Sequence, residues 1–138
     1  MNLVIHTDGG ARGNPGPAGI GVVFLADEVL LLEDKAFIGQ KTNNEAEYMA
    51  FQSSVLTLKK NLHIWKPKKI EWKLDSLLVV EQLNRKWKIK EPRLSDFAQR
   101  IWQELATLDV SYTISHVPRA QNAAPDALVN QALDAQLS

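Results

Sequence analysis

Short apolar runs and helical stripes alternate along the 138-residue chain, and their order predicts the elements of the fold. The run 3–5 leads to Asp8, which we predict to end a first strand that is covered on both faces, because glycines and prolines follow at once. The runs 20–26 and 29–37, joined by a polar turn at 27–28, predict two further strands. The three strands would form an antiparallel meander.

Helices and strands then alternate in the second half. A stripe of apolar residues spaced three and four apart predicts a helix that Thr42 or Asn43 can cap; its members are Tyr48, Phe51, Val55, Leu58 and Leu62. The remaining pattern predicts a strand over 70–75, a short helix from Ser76, a helix that begins near Pro92, a strand over 110–116, and a last helix from Asn122 to about 137.

This order of elements predicts an α/β fold. A meander followed by alternating helices and strands gives a mixed five-stranded sheet, three strands antiparallel and two parallel, with helices on both faces. We expect one domain over residues 1–138, because 45% apolar content suffices for a single core. Asp8 and Asp75 both follow strands and can meet above adjacent strands, although periodicity alone leaves their distance open.

Composition narrows the chemistry. The chain has no cysteine, so a metal would be held by oxygen or imidazole, and carboxylates favour Mg²⁺ or Mn²⁺. The formal net charge is zero, yet lysines and arginines crowd residues 59–93. The start has no basic leader, and no apolar stretch approaches 18 residues, so we expect a cytoplasmic protein with no membrane contact. The absence of a surplus apolar stripe favours a monomer.

The glycine-rich stretch after Asp8 has two other interpretations. A dinucleotide fingerprint would need a helix that begins among the glycines, whereas Pro15, Pro17 and the apolar run 20–25 favour a strand. A plain hairpin in which Asp8 caps a turn stays open from this stretch alone.

Four segments carry a family pattern, in order and on the expected elements: Thr7 to Gly19 (TDGGARGNPGPAG), Thr42 to Tyr48 (TNNEAEY), Leu74 to Ser76 (LDS) and His116 to Asp126 (HVPRAQNAAPD). Together they resemble the type 1 ribonuclease H family, and the resemblance covers essentially the whole chain. It implies a ribonuclease H-like fold and a metal-dependent endonuclease that hydrolyses the RNA strand of RNA–DNA hybrids, giving 3′-hydroxyl and 5′-phosphate ends.

The resemblance implies a catalytic and metal-binding set of four acids: Asp8, Glu47, Asp75 and Asp126. They would hold two Mg²⁺ ions, with Mn²⁺ as a possible substitute, of which one generates hydroxide and the other stabilises the departing oxygen. Glu47 fits the family spacing, and Glu45 cannot share its side of a helix, so we interpret Glu45 as an acid of the first turn. Without metal the acids should repel one another and raise a pKa.

The family pattern also implies auxiliary and substrate-binding residues. His116 matches a histidine that assists proton transfer or product departure, whereas His6 and His63 match no family motif and are interpreted as structural. Hybrid-contacting positions are Gly10, Ala11, Arg12, Asn14, Thr42, Asn43, Asn44 and Trp87. The glycines would let the backbone approach the minor groove, where the 2′-hydroxyl distinguishes RNA from DNA. The basic link 85–90 stands where longer members carry a protruding helix, so we expect weaker, more salt-sensitive binding.

One departure from the family pattern is Pro125, directly before Asp126. If Asn122 caps the last helix, Pro125 lies in its first turn, where a missing N–H costs little, but the placement of Asp126 is then in question. Two alternative functions stay open from the sequence: a nuclease of the same fold that acts on DNA, and a hybrid-binding module that no longer cleaves.

Overall fold

The computed structural model describes residues 1–137. Its strands are β1 (Asn2–Ala11), β2 (Gly16–Ala26), β3 (Val29–Lys41), β4 (Lys69–Leu74) and β5 (Ser111–His116). Its helices are α1 (Asn43–Trp65), α2 (Leu77–Leu83), α3 (Pro92–Ala106) and α4 (Ala123–Leu137), and a 3-10 turn at Arg119–Asn122 precedes α4. Within these residues no helix is long and apolar enough to cross a membrane.

The sheet has the predicted mixed topology. Its strand order is β3-β2-β1-β4-β5. The pairs β1–β2 and β2–β3 are antiparallel, and the pairs β1–β4 and β4–β5 are parallel. β1 therefore lies in the centre, and its pairing with β4 ends at Thr7 and Leu74. Asp8, still within β1, and Asp75, directly after β4, follow this last pair and therefore lie close together where β1 and β4 separate.

Three strand ends differ from the prediction by more than one residue. β1 does not end at Asp8 but continues to Ala11, paired with β2. β2 begins at Gly16, so Pro17 stands near the strand start, where its missing N–H is tolerated. β3 continues to Lys41 through a register shift opposite Ala18 and Gly19. Side-chain alternation could not reveal these extensions, since glycine and proline carry most of them.

Helices pack on both faces of the sheet, as predicted. A Cβ on Gly9 would lie 2.2 Å from the carbonyl oxygen of Ala46 in α1, so α1 crosses β1 in close contact there. A Cβ on Gly21 would lie 2.3 Å from the carbonyl oxygen of Pro125, so α4 crosses β2 equally closely. The main core lies on the α1 side, where buried residues of the sheet meet α1, α2 and α3 around Trp72.

Helix starts follow ordinary capping chemistry. Thr42, not Asn43, caps α1: its hydroxyl accepts from the N–H of Glu45 (3.1 Å), and the Glu45 carboxylate accepts from the N–H of Thr42 (3.0 Å). Pro92 begins α3, as predicted. α4 forms with Pro125 in its first turn, yet the side chain of Asn122 does not cap it, because that amide is bound to β1.

Candidate active site

Three carboxylates from three elements converge at the end of the β1–β4 pairing. Asp8 comes from β1, Glu47 from the first turns of α1, and Asp75 from the residue after β4. One oxygen of each lies within 4.8 Å of the others. They line a cleft of about 540 Å³, together with main-chain and side-chain atoms of the β1 end and of α4.

The two glutamates of α1 are separated as predicted. Oε1 of Glu47 accepts a 2.6 Å hydrogen bond from the N–H of Gly9, which holds its carboxylate beside Asp8. Glu45 is equally buried but turns away into the helix cap, with Arg93 3.9 Å from its carboxylate. Residues two apart on a helix cannot face one site, and the structure brings Glu47 to the cluster.

Asp126 lies at the cleft but outside the close group of three. It stands in the first turn of α4, half-buried, and its charge acts on both Asp8 and Asp75. The guanidinium of Arg119 lies 3.7 Å from its carboxylate. Asp126 therefore contributes to the negative charge of the cleft from the start of α4.

Burial and mutual repulsion make this cluster unfavourable as a set of bare anions. Burial raises the pKa of Asp8 to about 7, and the charges of Asp75 and Asp126 add to that rise. Burial and then the charge of Asp8 raise the pKa of Glu47 well above its usual range. The pKa of Asp75 is also raised, mainly by burial, although Arg119 opposes the rise.

The residues fit a hard divalent cation. Among the described residues, Oε2 of Glu47 is a buried oxygen with no hydrogen-bond partner, and it belongs to the group of three. Carboxylate oxygens are the donors that Mg²⁺ and Mn²⁺ prefer. A cation among Asp8, Glu47 and Asp75 would give the Oε2 atom of Glu47 a partner and would offset the repulsion among the three carboxylates.

The predicted substrate residues of the two loops contact each other. Oδ1 of Asn14 accepts from the N–H of Asn43 (3.0 Å), and Oδ1 of Asn43 accepts from the N–H of Ala11 (2.9 Å). Gly10, Ala11, Asn43 and Asn44 line the cleft. These bonds connect the β1 end and the loop after it to the start of α1 at the rim of the cleft.

Other predicted residues lie away from the carboxylates. His116 is exposed at the end of β5, paired with Leu74, and does not line the cleft. Trp87 is 45% exposed in the link between α2 and α3, also outside the cleft. Arg12 reaches the cleft, but its guanidinium binds Asp134 of α4 at 2.6 Å. The structure leaves the roles of these three residues as predictions.

Two residues of the site were not predicted. Arg119 lines the cleft and acts on Asp75 and Asp126. Asn122 is fully buried and bound to the backbone of Thr7. Both stand in the segment from His116 to Asp126, so its polar residues were the available signal. The partners of Asn122, however, are more than a hundred positions away in the sequence.

The chain is similar to several known proteins over most of its length. A family model described as "Reverse transcriptase-like" matches residues 6–132. A bifunctional protein of Mycobacterium tuberculosis is 42% identical over 137 residues, which are 98% of this chain and 36% of that protein. The ribonuclease HI of Halobacterium salinarum is 39% identical over 130 residues, 94% of this chain and 63% of that protein. The chain thus spans about a third to two thirds of these relatives.

A solved structure extends the agreement to the whole fold. LC11 ribonuclease H1, in complex with an RNA/DNA hybrid, has a TM-score of 0.92 and 40% identity, over 99% of both chains. The two folds therefore agree over almost the whole chain. With a family model over most of its length and a relative that it covers almost completely, the chain belongs to the type 1 ribonuclease H family.

Proposed function

We propose that this chain is an endoribonuclease that hydrolyses the RNA strand of RNA–DNA hybrids with two divalent metal ions and leaves 3′-hydroxyl and 5′-phosphate ends. The observation that carries the proposal is the convergence of Asp8, Glu47 and Asp75 within 4.8 Å, with a buried Glu47 oxygen that no protein donor satisfies. Because the carboxylate cluster is energetically unfavourable without a cation, it fits an active site that requires a bound metal ion.

The roles of the individual acids follow from their surroundings. When bound, divalent ions lower the pKa of water and offset charge on a phosphate. Asp8 and Glu47 are the buried acids, and the bond from Gly9 fixes the Glu47 carboxylate before any ion arrives. Asp75 and Asp126 stand nearer the solvent, where they can hold a second ion or face the scissile phosphate.

The substrate class is supported by the rim and by a relative. LC11 ribonuclease H1 binds an RNA/DNA hybrid, and this chain matches it over 99% of its length. At the rim, the exposed amide of Asn44 and the backbone of Gly10 are available to an incoming strand. Such groups suit the 2′-hydroxyl, which both donates and accepts. We also propose that the chain acts in the cytoplasm as a monomer, testable by fractionation and by light scattering.

The experiment is cleavage of end-labelled duplexes with Mg²⁺ or Mn²⁺. RNA–DNA hybrid, RNA duplex and DNA duplex are compared, with Asp75→Asn as the control. We expect cuts only in the RNA of the hybrid, with 5′-phosphate ends, and none in the control. Equal cutting of DNA duplex would overturn the substrate assignment. Hybrid binding without cleavage in either metal would replace the enzyme with a binding module.

A further inference from the structure

A buried amide contacts the residue that precedes Asp8 in β1. Asn122 is fully buried at the end of the 3-10 turn that leads into α4. Its Nδ2 donates to the carbonyl oxygen of Thr7 at 2.8 Å, and its Oδ1 lies 2.9 Å from Nδ1 of His6. This one side chain therefore ties the start of α4 to the central strand.

The partners of this amide determine its orientation. A backbone carbonyl can only accept, so the Asn122 atom that faces Thr7 must be the NH₂ group. Its oxygen then faces His6, and a 2.9 Å contact between that oxygen and Nδ1 is a hydrogen bond only if Nδ1 carries a hydrogen. His6 thus donates, and its ring and the Thr7 carbonyl together hold the amide of Asn122 in one orientation.

The orientation matters because the amide serves three elements. Thr7 immediately precedes Asp8 and is the last residue of β1 that pairs with β4. The Asn122 side chain also acts on the carboxyl of Asp75 and favours its charged form. Asp126 follows Asn122 by about one helical turn. A reversed amide would point its oxygen at the Thr7 carbonyl and at the Asp75 carboxylate, and both contacts would be repulsive.

We propose that His6 is a positioning residue for the metal site: by donating from Nδ1 to Asn122, it holds the amide with its NH₂ group toward Thr7 and Asp75. The inference rests on the proposed function, since it assigns His6 a part in binding the metal ions. His6 is half-buried, and the sequence indicated only a structural role for it. The proposal gives this histidine a specific part in positioning the metal site.

The wild-type protein provides a first test without any substitution. Nitrogen chemical shifts of the imidazole identify which ring atom carries a hydrogen in the folded protein. We expect hydrogen on Nδ1 of His6 and slowly exchanging side-chain NH₂ signals from Asn122. A His6 ring with a bare Nδ1 would overturn the inference, because the amide of Asn122 could then not be oriented by it.

Three variants provide the second test. His6→Leu has comparable bulk and no donor, whereas His6→Asn places a donating nitrogen near the position of Nδ1. Val4→Ala is the matched control, since Val4 is half-buried on β1 two residues earlier, on the same face, with an apolar side chain. Each is assayed for Mg²⁺ affinity by calorimetry, for thermal unfolding, and for kcat and KM on the hybrid.

We expect His6→Leu to weaken Mg²⁺ binding about 10-fold and to lower kcat by a similar factor, with KM for the hybrid unchanged. His6→Asn should recover most of both, and Val4→Ala should lower only the unfolding temperature. If His6→Leu merely unfolds earlier and binds Mg²⁺ normally, His6 is structural and the inference is wrong. Equal losses in the Asn and Leu variants would also overturn it. Metal binding that depends on His6 in a protein that cuts no hybrid would refute the proposed function alone.

Discussion

Removing one charge from the carboxylate cluster should stabilise the metal-free protein in a pH-dependent way. Burial raises the pKa of Asp8 from 3.8 to about 7. Between these values the native state binds a proton that the unfolded state has lost, so the free energy of unfolding falls as pH rises. From pH 5 to pH 8, at about 1.4 kcal/mol per pH unit below the native pKa, Asp8 alone removes roughly 2–3 kcal/mol.

Asp8→Asn eliminates this loss, since the amide has no proton to release. We therefore expect the variant's advantage over wild type to be roughly 2–3 kcal/mol greater at pH 8 than at pH 5. Urea unfolding in the presence of a chelator at the two pH values measures it. Because any packing change from the substitution alters the free energy of unfolding equally at both pH values, its effect cancels in the comparison.

Asp109→Asn is the matched control, because Asp109 is exposed and distant from the cluster. It should show the same difference from wild type at both pH values. Adding Mg²⁺ at 100 times its Kd should stabilise wild type by about 2.7 kcal/mol and the Asp8 variant by much less. A variant advantage that is equal at pH 5 and pH 8 would refute the claim that burial and repulsion strain these carboxylates.

Three further predictions concern packing, capping and substrate binding. Gly9→Ala should lower the free energy of unfolding in urea by more than about 3 kcal/mol, because its Cβ would meet the backbone of Ala46 at 2.2 Å. Gly10→Ala, whose Cβ would have its nearest neighbour 3.8 Å away, should lower it by under about 1 kcal/mol. Equal losses in the two variants would contradict the close packing of α1 on β1. Thr42→Ala should cost about 1 kcal/mol by the same assay through loss of the α1 cap, and no change would deny the cap. Hybrid affinity should fall steeply with salt in fluorescence anisotropy, and neutralising lysines of the link 85–90 should flatten that slope; an unchanged slope would remove the link from the binding surface.

The fold could be predicted because its signals are local. Apolar alternation and the three-and-four spacing of the α1 stripe are read within a few residues, and each produced the right element in the right order. The strand ends were less predictable. β1 continues past Asp8 only because β2 is there to pair with Gly9 and Gly10, and that partner is a tertiary fact which the Gly-rich local sequence conceals.

In the candidate site, too, local signals could be predicted from the sequence and tertiary contacts could not. Helix geometry allows only one of Glu45 and Glu47 to face Asp8, and the spacing of the family pattern predicted that it is Glu47. The hydrogen bonds of Asn122 to His6 and Thr7 span 116 and 115 positions, and no residue near Asn122 in the sequence indicates them. Asn122 does not cap the last helix, a role that the sequence left open, because its side chain bonds to His6 and Thr7 of β1 instead.

Glu47, by its place in the cluster, is proposed to make hybrid cleavage possible, and a pair of isosteric variants tests this role. Glu47→Gln and Glu45→Gln change one charge each at positions two apart and equally buried. With 5′-labelled RNA in a hybrid and saturating Mg²⁺, we expect Glu47→Gln to lose RNA cleavage by at least about 100-fold. Glu45→Gln should cut nearly as wild type, with only its cap weakened. Retained cleavage in Glu47→Gln, or equal loss in both variants, would show that Glu47 has no specific role in cleavage.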